Sequence, residues 1–258
     1  RANIGRLNAD CTVDTSFSVP SLFPFISAIA VQSAGKVVIG SSSFFNNQSI
    51  ARLNANGSID SRFDAARPLF PQQPNIASVS SLALQPDGKI LLGGVFTLVD
   101  DRPRNRIARL HSNGRLDVEF DPKLSMTEGA VTAIIVEPDR RILILGYRTL
   151  ARLDSDGTLD GSFKPAVSDP TAMALQSDGK IIVAASRKVV RLASDGQLDP
   201  TFAPAALAPN DAWAIAIDPQ GGILIAGGFT NVNGIPRERR IARLYGGSIA
   251  PNPLMIVA

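Results

Sequence analysis

Residues 76–120 hold four short apolar runs, Val79 to Leu84, Lys89 to Leu92, Ile107 to Leu110 and Leu116 to Phe120, and longer, shorter or worn copies of this unit fill the chain. The runs are separated by Pro86-Asp87-Gly88, by an open polar loop from Gly94 to Arg106, and by Ser112-Asn113-Gly114. Apolar runs cut by such turn residues spell antiparallel strands, so each copy predicts one four-stranded sheet. Leu82 and Leu84 alternate with Ser81 and Ala83. A sheet with apolar side chains on both faces must be covered, and the available cover is the next copy.

Two anchors align the copies. A strand-turn-strand signal recurs at 28–42, 81–94, 133–146, 172–185 and 214–228. An Arg-Leu hairpin recurs at 4–17, 50–63, 107–120, 150–163 and 189–202, with a truncated form at 241–247. Leu53, Leu110, Leu153, Leu192 and Leu244 are spaced 57, 43, 39 and 52 residues apart, so the copies differ in their loops rather than their strands. Short proline-rich linkers carry the chain from each terminal Phe to the next copy. This connectivity suits like sheets packed radially around an axis.

The expected fold is therefore all-β, a β-propeller of four-stranded antiparallel blades whose first strand lines the channel. Five strand pairs predict five blades, or six if the terminal strands form a shared blade. The alternatives are a Greek-key sandwich, which has no need of the same hairpin at successive edges, and a β-solenoid, which uses shorter rungs. Residues 1–258 are read as one propeller domain, and a chain that starts inside a repeat suggests a module of a larger protein.

Composition narrows the function. Charged residues make up 19% against 45% apolar, which excludes a disordered chain. A net charge of +3 with scattered basic residues predicts no nucleic-acid partner. No apolar run is long enough to span a bilayer as a helix. Cys11 has no second cysteine to pair with. His111, the single histidine, sits where sister turns carry Asn54 and Asp154, which makes it a turn residue and leaves no catalytic triad. The Asp154, Asp156, Asp160 set resembles part of a calcium loop, but sister copies put His111 and Ala193 at its first position. Asp100, Asp101, Glu128, Glu137, Asp211 and Glu238 fall in loops or turns with no apolar pocket signalled beside them. No catalytic residue, cofactor or metal site is predicted. Asn47-Gln48-Ser49 and Asn56-Gly57-Ser58 match the glycosylation pattern.

The repeated arginines Arg52, Arg109, Arg152 and Arg191 lie inside predicted strands, where a charge must be paired or must reach a rim. Their expected partners are Asp60, Asp117, Asp160 and Asp199, each three residues before a phenylalanine. Such pairs would fix register, and Phe17, Phe63, Phe120, Phe163 and Phe202 would act as apolar wedges between copies.

SLALQPDGKILLGGVF followed by NRIARLHSNGRLDVEF resembles the bacterial delta-sixty repeat, a β-propeller repeat of uncharacterised function. The resemblance runs from Ala2 to Gly246 and departs at Cys11, at Arg140-Arg141, at Ala184-Ala185 and after Tyr245. It implies a propeller in an extracellular or cell-surface setting and carries over no catalytic residue.

The expected function is a non-catalytic scaffold or protein-interaction module, binding a protein or a surface polymer. A carbohydrate-binding propeller is the alternative, and a lyase or glycosidase with its site at the channel mouth is a third. The loops after the second strand are long at 97–105 and 230–240 and nearly absent in the third and fourth copies. They carry Asp101, Arg102, Arg104, Arg106, Arg237, Arg239 and Arg240, and the first copy's loop adds Phe44 and Phe45. Arginines around an apolar centre resemble a protein-binding patch. The expectation is that these loops project from one face, with residues 66–75 and 203–212 at the opposite rim.

Overall fold

A computed structural model describes residues 3–20, 25–41, 49–71, 77–124, 129–237 and 239–245. Among these residues every regular element is a strand. The chain folds as two compact units, residues 1–136 with 155–158, and residues 137–154 with 159–258.

The first unit contains β1 (Ile26–Val31), β2 (Val37–Ser41), β3 (Ile50–Leu53), β4 (Pro68–Leu69), β5 (Ser78–Leu84), β6 (Ile90–Val95), β7 (Leu98–Val99), β8 (Arg102–Pro103), β9 (Ile107–Leu110) and β10 (Val131–Val136). Two three-stranded antiparallel sheets, β1-β2-β3 and β5-β6-β9, repeat one register: Ala30 faces Val38, which faces Arg52, and Ala83 faces Leu91, which faces Arg109. The central strands read VVIGS and ILLGGV and are buried almost throughout, because each has a strand on both edges and packing on both faces.

The second unit contains β11 (Ile142–Gly146), β12 (Thr149–Leu153), β13 (Pro170–Leu175), β14 (Ile181–Ala185), β15 (Lys188–Leu192), β16 (Ala205–Ala208), β17 (Ala212–Ile217), β18 (Ile223–Gly227), β19 (Asn231–Val232), β20 (Ile235–Pro236) and β21 (Ile241–Leu244). Here β13-β14-β15 and β17-β18-β21 repeat the same ladder. Hydroxyls stitch successive first strands together: Ser27 donates to the Val79 carbonyl at 2.6 Å, Ser81 to that of Val131 at 3.2 Å, and in the second unit Thr171 to that of Ala212 at 2.7 Å.

Of the expected fourth strand only a bridge is formed among the described residues. Each return segment makes a single β-bridge to its own hairpin, as in Leu53 to Ile59, Leu110 to Leu116 and Leu192 to Leu198. The ladder stops there because the next residue is the repeated aspartate. Its carboxylate accepts the N–H two residues on, and its carbonyl accepts the N–H of the phenylalanine, as Asp199 does from Thr201 at 2.9 Å and from Phe202 at 3.2 Å. An Asx turn closed in this way bends the backbone off the sheet. Among the described residues β1-β2-β3, β5-β6-β9 and β17-β18-β21 are thus three-stranded, whereas β13-β14-β15 is extended by β16, which pairs with β15 through Val189 to Ala205.

That turn delivers the phenylalanine as a wedge. Phe120 is fully buried, and Gly157 in the following hairpin, at φ +100°, lies so close that an added Cβ would stand 2.9 Å from its ring. Gly161 has open space around it. Gly157→Ala combines a left-handed backbone with overpacking and should cost about 2–4 kcal/mol, whereas Gly161→Ala should shift stability by no more than about 0.5 kcal/mol. Equal denaturation midpoints for the two variants would show that the wedge does not seat the hairpin.

Candidate functional site

Each repeated arginine sits at the centre of a node. Arg109 Nε donates to Asp117 at 2.8 Å, one Nη donates to the Ser155 carbonyl in the following hairpin at 2.6 Å, and the guanidinium lies 4.4 Å from the Phe120 ring centre. Arg52 repeats this with Asp60 at 2.8 Å, the Ser112 carbonyl at 2.6 Å and Phe63 at 4.7 Å. Arg152 does so with Asp160, the Ser194 carbonyl and Phe163, while Arg191 holds Asp199, Thr201 and Phe202. In Arg52, Arg109 and Arg152 one side chain therefore fixes its own hairpin, stacks on the wedge and reaches a neighbouring turn, while the bonds of Arg191 stay within its own hairpin.

The aspartates are further held by the basic residue of the first turn. Lys36, Lys89 and Lys180 lie 2.6, 3.0 and 3.2 Å from Asp60, Asp117 and Asp199. In the third copy Arg141 replaces the lysine and approaches Asp160 at 3.6 Å. The Lys36 ammonium, with the Arg62 N–H and Arg52, holds the Asp60 carboxyl at about 2. Burial works against Asp117, yet Lys89 and Arg109 keep it below the usual carboxylate range. The last hairpin lacks a described return turn, and there Arg243 pairs with Asp218, which occupies the position of Gln85 and Gln176.

Glu137 occupies that same position in the third copy, in the turn where the sequence places it with no apolar pocket signalled beside it. It is 5% exposed, its Oε2 makes no hydrogen bond, and Arg141 and Arg152 stay 3.9 Å away. Burial pushes its carboxyl up from the ordinary range despite those arginines.

The two long loops form tight hairpins rather than open projections. In the first unit β7 and β8 are joined by Asp100-Asp101, both at positive φ, and β7 pairs with β4 of the linker through Val99 to Pro68 and Leu98 to Leu69. In the second unit β19 and β20 are joined by Asn233-Gly234, and β19 pairs with β16 through Val232 to Leu207. The linkers at 66–70 and 205–208 thus lie beside these loops, which corrects the expectation that they occupy the opposite rim. Chain direction is the reason: after the third strand and its return segment, the chain is back at the end from which the hairpin leaves.

This pairing also redistributes the candidate residues. Arg104 and Arg106, expected at a partner-facing tip, are buried at 4% and 6% exposure. Arg104 donates to the Pro103 and Val118 carbonyls at 2.6 and 2.8 Å, and Arg106 lies 5.6 Å from the Phe70 ring. They anchor the hairpin. Asp101, Arg102, Arg239 and Arg240 are exposed, and Arg237 is half-buried with one Nη on the Pro236 carbonyl at 3.3 Å. Phe44 and Phe45 lie outside the described residues.

Beside the first hairpin is a groove of about 550 Å³, lined by Asp64, Ala65, Arg67, Asp100, Arg102, Arg115, Leu116 and Val118. Arg115 and Asp64 form an exposed ion pair at 2.9 Å, and Asp100 accepts the Arg67 backbone N–H at 2.8 Å. Arg67, Arg115 and Asp64 were missed in the sequence because the linker looked distant from the loop. Among the described residues no group of three or more potential metal ligands occurs.

The nodes and Glu137 titrate with opposite sign. Arg109→Ala leaves Asp117 buried and should cost about 3 kcal/mol, at the low end for a broken buried pair because Lys89 remains. The depressed Asp60 carboxyl stabilises the fold above its ordinary 3.8 and loses that contribution as pH falls towards about 2. The thermal midpoint should therefore drop over that interval, and less steeply in Asp60→Asn. Glu137, raised from 4.5 by burial, contributes fully only below that value and loses its contribution as pH rises through the raised folded-state value. Glu137→Gln should raise the midpoint at pH 7, and a loss there would mean that the carboxylate is favourably held.

The chain resembles solved structures at the level of fold alone. A streptogramin B lyase superposes with a TM-score of 0.68 at 15% identity, covering 99% of this chain and 75% of that one. A virginiamycin B lyase from Staphylococcus aureus gives 0.60 at 18% identity, covering 89% and 71%. The extracellular domain of BT4673 from B. thetaiotaomicron gives 0.53 at 15% identity, where the match covers 81% of this chain but only 26% of that longer one. No curated protein matches the sequence. The family model for the β-propeller domain of unknown function DUF5122 matches residues 32–63, 85–120, 137–163 and 176–202. Those segments each run from the first turn to the wedge phenylalanine, so four successive copies of the repeat match the DUF5122 β-propeller model over the same stretch.

Proposed function

We propose that the chain is a non-catalytic β-propeller module of a secreted or surface protein, and that each unit offers its strand-paired hairpin to a protein partner. The observation that carries this reading is that two hairpins of the same backbone geometry have different tips. Asp100 and Asn233 play one structural part, each accepting a linker N–H, from Arg67 at 2.8 Å and from Ala206 at 2.7 Å. Around that shared scaffold the first tip displays Arg67 and Arg102, and the second displays Ala206 and Ile235 at the matching positions. A fold that accepts either set does not require the exposed one. Asp101 supports the same reading, since it holds φ 61° where the second hairpin uses Gly234.

The extracellular setting is supported by the likeness to an extracellular domain, and no helix among the described residues is long and apolar enough to cross a membrane. A carbohydrate ligand is favoured by one feature of the second unit, the 66% exposure of Trp213. Trp213 stands alone in its repeat position, however, whereas the hairpins recur.

A photo-crosslinking residue at 102 or 235, in the organism that makes the protein, should yield polypeptide adducts. The same residue at Asp87 or Asp178, in turns at the other end of the sheets, should yield none. Adducts confined to 87 and 178 would overturn the assignment of the hairpins as contact surfaces.

A further inference from the structure

We propose that the groove beside the first hairpin binds the carboxylates of a short acidic peptide segment whose flanking side chains are apolar. This deepens, and rests on, the reading of that hairpin as a contact surface. Three guanidiniums line the groove against two carboxylates, and both carboxylates are already engaged. Asp64 pairs with Arg115, and Asp100 is held by a backbone N–H. Among the described residues Arg67 and Arg102 enter no ion pair, and because the N–H that holds Asp100 is neutral, the three arginines and two aspartates leave the lining with a net charge of +1 and two planar, bidentate donors without an ion-pair partner.

The remaining lining selects among anions. Ala65, Leu116 and Val118 give the groove an apolar floor, Val118 is 46% exposed, and no lining residue is aromatic. A sugar acid would present its ring to a floor with no aromatic platform. A peptide instead offers a carboxylate to the arginines and an apolar side chain to Val118. The volume of about 550 Å³ lies within the range usual for ligand clefts. The matching hairpin of the second unit has Ala206 and Ile235 in place of the two arginines, so the charge belongs to this site and not to the repeat.

The test uses the whole chain and the blocked pentapeptide Leu-Asp-Leu-Asp-Leu, followed by calorimetry and by backbone amide shifts. Saturable binding is expected, weakened on the order of tenfold when both peptide aspartates become asparagine, and falling with added salt. The double variant Arg67→Ala with Arg102→Ile copies the second hairpin's own residues. It should keep the wild-type amide spectrum away from the groove and lose binding to the same extent, as should Arg115→Gln in part. Equal affinity in wild type and double variant would overturn the proposal. Arginine-dependent binding of polygalacturonate without the peptide would overturn it in favour of an acidic glycan. If neither ligand binds, the groove is not the site, and the crosslinks at 102 and 235 decide independently whether the hairpins are contact surfaces.

Discussion

The arginine node is the interaction on which the rest of the structure depends. A guanidinium has five donors in a fixed plane, and here that plane is used on all sides: an aspartate along one edge, a neighbouring turn carbonyl at another, and an aromatic ring beneath. A lysine could supply charge at the same position but neither the fork nor the stack. An exposure of only 7% for Arg109 and 2% for Arg152 is tolerated because the charge is paired with an aspartate, a carbonyl accepts a second N–H and a ring covers one face. The same node therefore sets the hairpin register, positions the wedge and joins successive hairpins within a unit.

Conservation of this geometry leaves the rim loops free to differ. The third and fourth copies connect their second and third strands by tight turns, at Tyr147-Arg148 and at Ser186-Arg187, while two copies extend the connection into hairpins that add strands to the preceding linker. Each such hairpin is tied to the body by backbone pairing, so its tip is presented rigidly. In the first unit Arg104 and Arg106 secure it from below and Arg102 faces outward. Three residues of one type, at every second position, thus divide between anchoring and display. The likeness to lyase structures is one of fold, and fold alone does not carry an activity across.

Much of this was legible in the residues. Turn signals and period-two runs mark the strands because both are local, and the Arg-to-Asp spacing of eight is fixed by a hairpin that closes on itself. The expected fourth strand is reduced to a bridge for a local reason too. The leucine and phenylalanine of LDVEF look like one alternating run, but the intervening aspartate bonds to its own backbone and turns the chain.

The sequence by itself determined the repeat, the all-β class, the inner strand ladders and the residues of each node, since all of these follow from short-range patterning repeated in one chain. Only the tertiary structure decided that each long loop pairs with a linker some thirty residues away in sequence, as Val99 does with Pro68. That contact has no periodic signal, because two-residue strands carry no alternation to read. It buries Arg104 and Arg106, places Arg67 beside Arg102, and turns three scattered arginines and a short apolar floor into one groove. Glu137 is decided in the same way: its neighbours in sequence are those of a surface turn, and the packing around it makes it a buried acid.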